Sequence, residues 1–398
     1  MSLRFISGLI FAAAVCMLVF AYADRHTSRS YDDGAIENDS LSTSVKHTLP
    51  TQIPDNEDTA SGANLNTENV YFVQVDAKTV VKIGADAVVS DLLAGGVNTV
   101  ALQVFSDEDI VGVYWDSEIA PVREDILGEF VSVAHENGLS VFVWMTTLDM
   151  PWVYEEYPEM RLKRNDGGKI TTDTGWYDRV SPCSSEHRAY VADVFTEIVR
   201  NYDIDGFLLQ DDLYWGSDEV FDEFTRNEYF KYTGRVLTVK AAQSDAFHMW
   251  KSTWLTLVVK EVNDAVKEVD PGVRLAVNVY AGCPLDKPWC LSSFGQDYDA
   301  LSLNSDYMAI MAYPVLSGES PEWVGDVATL ALARERAGKE TIIKVQVVDW
   351  DVGEDVDADD VRKALEAAKS GGARNLGFYL SGRSMSEIGI DFREFDDN

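Results

Sequence analysis

From Val70 to Leu380 the chain alternates short runs of β-branched and apolar residues with longer stretches whose apolar positions recur every three or four residues. Eight of the short runs read as strands: Val70–Val75, Thr99–Phe105, Ser140–Thr146, Gly206–Asp211, Arg274–Val279, Tyr307–Ala312, Ile342–Val348 and Asn375–Leu380. The longer stretches predict helices, among them Asp125–Asn137, Ser185–Tyr202, Thr253–Val269 and Asp357–Ser370. The last carries its own punctuation, with Asp357 as N-cap, Asp359 and Asp360 in the first turn and Gly371-Gly372 as the stop. Strands that take turns with helices pair in parallel and are covered by those helices, so eight units predict an α/β fold, a (β/α)8 TIM barrel with insertions in the strand-end loops. A doubly wound open sheet is the alternative, but neither Gly-x-Gly-x-x-Gly nor a P-loop follows the first strand.

The pattern changes at both ends. Arg4 precedes a nearly continuous apolar run from Ile6 to Tyr22, and Ala21-Tyr22-Ala23 matches a small-x-small cleavage site. Residues 1–23 therefore read as a signal peptide or, if uncleaved, an N-terminal membrane anchor, which makes the protein secreted or periplasmic. Residues 24–69 are rich in Ser, Thr, Asn, Asp and Glu and cannot bury enough surface to offset their ordering entropy, so a disordered linker is expected there. The barrel is expected over 70–390, with a frayed acidic tail over 391–398, and the protein is expected to be a monomer.

Composition narrows the chemistry. With 67 Asp+Glu against 33 Lys+Arg the formal net charge is −34, which repels nucleic acid and favours neutral or cationic ligands, although carboxylates spread over a solvated surface are commoner than an acidic groove. A hydrophobic content of 46% over 398 residues is enough for a large core and excludes wholesale disorder. In an oxidising compartment Cys283 and Cys290, closing a short proline-containing loop, form the expected disulfide and leave Cys183 unpaired. Five histidines, none at metal-ligand spacing from the cysteines, point to no metal and no cofactor.

In a barrel the chemistry collects at the carboxyl ends of the strands. Read in order, those ends hold Asp76; Gln103, Phe105 and Asp107; Trp144; Gln210, Asp211, Asp212, Tyr214 and Trp215; Asn278 and Tyr280; Tyr313; Gln346, Asp349 and Trp350; and Tyr379. Rings that stack on sugar faces, beside fixed amides and carboxylates that pair with hydroxyls, are what a carbohydrate cleft requires. The sharpest signal is Asp211-Asp212 after the fourth run. Strand alternation puts Phe207 and Leu209 toward the helices and Gly206, Leu208, Gln210 and Asp212 toward the axis, so Asp212 is expected at the mouth as the general acid, with Asp211 as the other candidate. A capping or ion-pairing role for either Asp is the structural alternative. Second carboxylates are sought among Asp76, Asp107, Asp349 and Asp218.

Asp205-Gly-Phe-Leu-Leu-Gln-Asp-Asp212, together with the blocks from Gly96 to Asp107, Val141 to Met145, Arg179 to Pro182, Tyr307 to Tyr313, Gln346 to Trp350 and Gly372 to Tyr379, resembles the C-terminal glycoside-hydrolase domain of the PgaB family. The blocks occur in the family's order from about Val70 to Arg383. The resemblance implies a barrel that cleaves partially deacetylated poly-β-1,6-N-acetylglucosamine, a biofilm exopolysaccharide, in an endo fashion. A hydrolase of another glycan, such as galactosaminogalactan, and a non-catalytic glycan-binding barrel are the alternatives. The family's usual His-Asp-Asp stands here as Gln210-Asp211-Asp212. The family's deacetylase domain has no counterpart ahead of this barrel, so the polymer is expected to arrive already deacetylated.

Overall fold

A computed structural model describes residues 69–106, 111–172 and 177–396. The leader-like residues 1–23, the linker up to residue 68, and Asp107 lie outside the described residues. Eight parallel strands close on themselves: β1 (Tyr71–Val75), β2 (Thr99–Gln103), β3 (Ser140–Met145), β4 (Gly206–Leu209), β5 (Arg274–Tyr280), β6 (Tyr307–Ala312), β7 (Glu340–Val345) and β8 (Asn375–Tyr379), with β8 pairing back onto β1. Helices α1 (Ala85–Ala94), α2 (Leu127–Glu136), α3 (Ser185–Asn201), α4 (Asp245–Val269), α5 (Tyr298–Leu303), α6 (Trp323–Leu332) and α7 (Ala358–Ser370) alternate with the strands, as a (β/α)8 barrel requires.

The period-2 reading of β4 holds as far as the strand does. Phe207 packs outward on Phe195 of α3 at 4.8 Å between centroids. Inside, Phe72, Phe142 and Tyr307 meet edge to face at 5.5 and 6.0 Å and fill the N-terminal end of the barrel. Gly206 makes room for them, because a Cβ there would lie 2.4 Å from Phe142 Cε1 and 2.7 Å from the Arg274 carbonyl oxygen. Ordered insertions sit at the C-terminal ends, with small hairpins at Phe105–Ser106/Gly112–Val113, Arg164–Asp166/Lys169–Thr171 and Val348–Asp349/Glu354–Asp355.

Several boundaries differ from the sequence pattern. β2, β4 and β7 stop at Gln103, Leu209 and Val345, because the residues beyond them leave the barrel to build hairpins and turns. α4 starts at Asp245 rather than Thr253, where Ser244 accepts from the Phe247 N–H and Phe247, Trp250 and Trp254 bury one face. The expected frayed tail packs instead: Asp391 caps a 3-10 turn over Phe392–Phe395, and Phe392 stacks on Tyr71 and Phe378 at 5.0 and 5.1 Å. Cys283 and Cys290 are disulfide-bonded, and Cys183 is a buried free thiol. Among the described residues no helix is long and apolar enough to cross a membrane.

Candidate active site

The two aspartates after β4 have opposite fates. The strand ends at Leu209 and the chain turns through Asp211-Asp212, so alternation no longer decides which way these side chains point. Asp212 is 0% exposed, and its Oδ2 accepts from the backbone N–H groups of Thr147, Leu148 and Asp149 at 2.9, 2.5 and 2.7 Å and from the Thr146 hydroxyl at 2.8 Å. Burial pushes its pKa up, and those donors pull against the shift. Asp212 therefore ties down the connection that follows β3, and the expectation that it reaches the mouth is corrected. Asp211 is half-buried. Its Oδ1 accepts from the Tyr177 hydroxyl at 2.9 Å, and its backbone carbonyl accepts from the Tyr280 hydroxyl at 3.3 Å.

A polar chain runs from Asp211 across the mouth. The Gln210 amide nitrogen donates to the Tyr177 oxygen at 3.2 Å, and Gln210 Oε1 accepts from the Trp144 indole N–H. Trp144 meets Tyr379 edge to face at 5.1 Å, and the Tyr379 hydroxyl donates to Asp76 Oδ1 at 2.5 Å. Burial raises the Asp76 pKa, with the Tyr379 hydrogen bond opposing the rise. Tyr313 and Trp350 form a second ring pair at 5.2 Å, and Tyr280 stacks on Phe294 at 3.8 Å. The structure thus brings together Asp76, Trp144, Gln210, Asp211, Tyr280 and Tyr379, with Tyr313, Trp350 and half-buried Gln103 at neighbouring strand ends.

Other expected contact residues serve the scaffold. Trp215 is fully buried and donates to the Glu219 carbonyl, so it cannot line a groove with the other rings. Tyr214 is covered by the Arg179 guanidinium, 3.7 Å above its ring, and its buried hydroxyl has no hydrogen-bond partner among the described residues. Phe105 is buried against Trp144. Gln346 bridges the Leu316 N–H and the Val348 carbonyl. Asp349 caps the Asp351 N–H in its hairpin, and Asp218 pairs with Arg164 at 3.2 Å. Asn278 is buried and accepts from Lys344.

Two residues escaped the strand-end reading. Lys344 lies inside the barrel on β7, 1% exposed, donating to Gln74 Oε1 and Asn278 Oδ1. Burial pulls its pKa down to about 7, and the negative charge of Asp211 works in the other direction. The signal was present, since a lysine interrupts the apolar run Ile342-Ile343-Lys344-Val345. Tyr177 had no such signal, because tertiary contacts alone carry its loop to the mouth. Among the described residues no cluster of three His, Cys, Asp or Glu could hold a metal ion.

A family model described as "Hypothetical glycosyl hydrolase family 13" matches residues 74–379. The poly-beta-1,6-N-acetyl-D-glucosamine N-deacetylase of Escherichia coli strain K12 is 24% identical over 304 residues, covering 71% of this chain and 44% of its own length. The chain thus spans less than half of the curated relatives it matches. The PgaB (BpsB) glycoside hydrolase domain from Bordetella bronchiseptica matches with a TM-score of 0.68 at 21% identity, over 78% of this chain and 94% of that one. A β-galactosidase from the psychrophilic Marinomonas ef1 matches with a TM-score of 0.61 at 16% identity, over 78% and 53%. Both structural likenesses concern the fold.

Proposed function

The chain belongs to hypothetical glycosyl hydrolase family 13 and is a glycoside hydrolase, and from that premise we propose that it cleaves partially deacetylated poly-β-1,6-N-acetylglucosamine or a closely related amino-sugar exopolysaccharide. The observation that carries this reading is Asp211, which follows β4 with its carboxylate held by the Tyr177 hydroxyl and its backbone carbonyl by the Tyr280 hydroxyl, among rings suited to sugar faces. The curated relative named for poly-beta-1,6-N-acetyl-D-glucosamine supplies the substrate class. The leader-like residues 1–23 favour work outside the cytoplasm, where such polymers lie.

Two carboxylates divide the chemistry in this proposal, and their surroundings differ in the direction that separates acid from base. Asp76 is pushed up by burial, toward the protonated form that can give a proton to the leaving oxygen. Asp211 accepts a phenol hydrogen at 2.9 Å, an arrangement that suits an anion acting as base or nucleophile. The strand-four carboxylate expected to be the acid is reassigned on both counts, from Asp212 to Asp211 and from donor to acceptor. Incubation with partially deacetylated and fully acetylated polymer, followed by reducing-end and product-size analysis, tests the substrate. New reducing ends are expected mainly from the partially deacetylated chain; release from neither, with cleavage of a galactosamine polymer or another glycan, would overturn the reading.

A further inference from the structure

The residue that orients Asp211 comes from outside the strand ends. Tyr177 lies in the long connection between β3 and β4, and that connection is pinned by the three residues that follow it. The Asp178 N–H donates to Asp149 Oδ1 at 3.1 Å, and the Val180 N–H donates to the Leu148 carbonyl at 2.9 Å. Between them Arg179 is fully buried, with its guanidinium 2.7 Å from Glu219 and stacked on Tyr214. Tyr177 is itself 9% exposed, with its ring 6.1 Å from that of Tyr214.

Donor chemistry then gives the hydrogen-bond chain one direction. The Trp144 indole can only donate, so the Gln210 amide must turn its oxygen toward Trp144 and its nitrogen toward Tyr177. With its oxygen already accepting from Gln210, the Tyr177 phenol sends its one hydrogen to Asp211 Oδ1. Nothing between Trp144 and Asp211 ionises near neutrality. An indole and an amide do not titrate there, and burial, followed by the charge of Asp211, pushes the Tyr177 phenol well above 10. Among the described residues, titratable groups whose charge couples to Asp211 include Lys344 on β7, Tyr280 on β5, Tyr313 after β6, and Tyr214 on the loop of Asp211 itself.

We propose that Tyr177 is a positioning residue whose hydrogen bond to Oδ1 fixes the orientation of the Asp211 carboxylate toward the substrate. This inference rests on the reading of Asp211 as the working carboxylate, and the test separates the two. Tyr177→Phe keeps the ring and removes the hydroxyl. Its kcat should fall about tenfold or more while KM for the partially deacetylated polymer stays within about twofold. Because a hydrogen bond to the charged form is lost, the acidic limb of the kcat/KM profile should move to higher pH. In an Asp211→Asn background the same substitution should cost nothing further, since residues acting through one group are not additive. Gln210→Met, which leaves the phenol in place but removes the donor that directs it, should move the limb the same way and decides the matter if Tyr177→Phe fails to fold. A Tyr177→Phe enzyme with wild-type kcat and pH profile, or equal losses in the presence and absence of Asp211, would overturn the positioning role. Full activity in Asp211→Asn would instead remove the reading on which it stands.

Discussion

At the residue scale, adjacent aspartates of identical chemistry are separated by what surrounds them. Asp212 satisfies three consecutive backbone N–H groups, from Thr147 to Asp149, in a fully buried site, so an uncharged amide there weakens charge-assisted bonds that have no solvent to replace them. Asp212→Asn should therefore lose about 3 kcal/mol of stability in denaturant titrations, with activity falling only as folded protein is lost. Asp211→Asn should show the reverse: a midpoint near wild type and a turnover lower by about a hundredfold or more. A stable, inactive Asp212→Asn beside an active Asp211→Asn would return the chemistry to Asp212. The two cannot be told apart in the sequence, because strand parity distinguishes neighbours only while the strand continues, and β4 ends at Leu209.

At the element scale, the connection after β3 is held from two directions, by Asp212 just past the end of β4 and by α3. His187 on α3 is buried, and its Nε2–H donates to the Thr147 carbonyl at 2.9 Å. Burial lowers its pKa from 6.5 to about 4, so the folded state keeps it neutral while the unfolded chain takes up a proton as pH falls below 6.5. The unfolded state then binds more protons, and the stability present above 6.5 is lost between pH 6.5 and about 4. The loss should amount to about 3 kcal/mol, at 1.36 kcal/mol per pKa unit. Thermal or denaturant unfolding of His187→Gln across that window should show a correspondingly shallower pH slope than wild type; an equal slope would locate the acid sensitivity elsewhere. The eight strands and the alternating helices were legible because parallel strands buried on both faces must be apolar and continuous, and because helix caps such as Asp357 are local chemistry. The long connections were not, since Tyr177 and Asp212 are placed by partners far along the chain. Lys344 was legible in principle, as a charge that an all-apolar strand could hold only by pairing it with Gln74 and Asn278.

At the scale of the whole molecule, the charge excess of 34 carboxylates becomes a statement about the substrate only where the barrel concentrates it. Asp212 is sealed behind its donors, so among the described residues Asp76 and Asp211, with Asp349 in the hairpin after β7, are carboxylates that can shape the field of the mouth. Low-dielectric walls focus that field, and a chain carrying glucosamine ammonium groups should be drawn to it while a fully acetylated chain is not. Screening shortens from about 8 Å at physiological salt to about 3 Å at 1 M, so added salt should weaken binding of partially deacetylated oligosaccharides severalfold. The acetylated oligosaccharides, held by stacking on rings such as Tyr313 and Trp350, should scarcely respond. Titration of both ligands by calorimetry across that salt range, with an active-site Asp211→Asn protein to prevent turnover, measures the difference. Removing Asp211 leaves Asp76 and Asp349 in place, so a salt slope for the cationic ligand should persist in that variant. Parallel salt slopes for the two ligands would assign the acidity to the general surface and leave selection of the sugar to the rings and amides of the mouth.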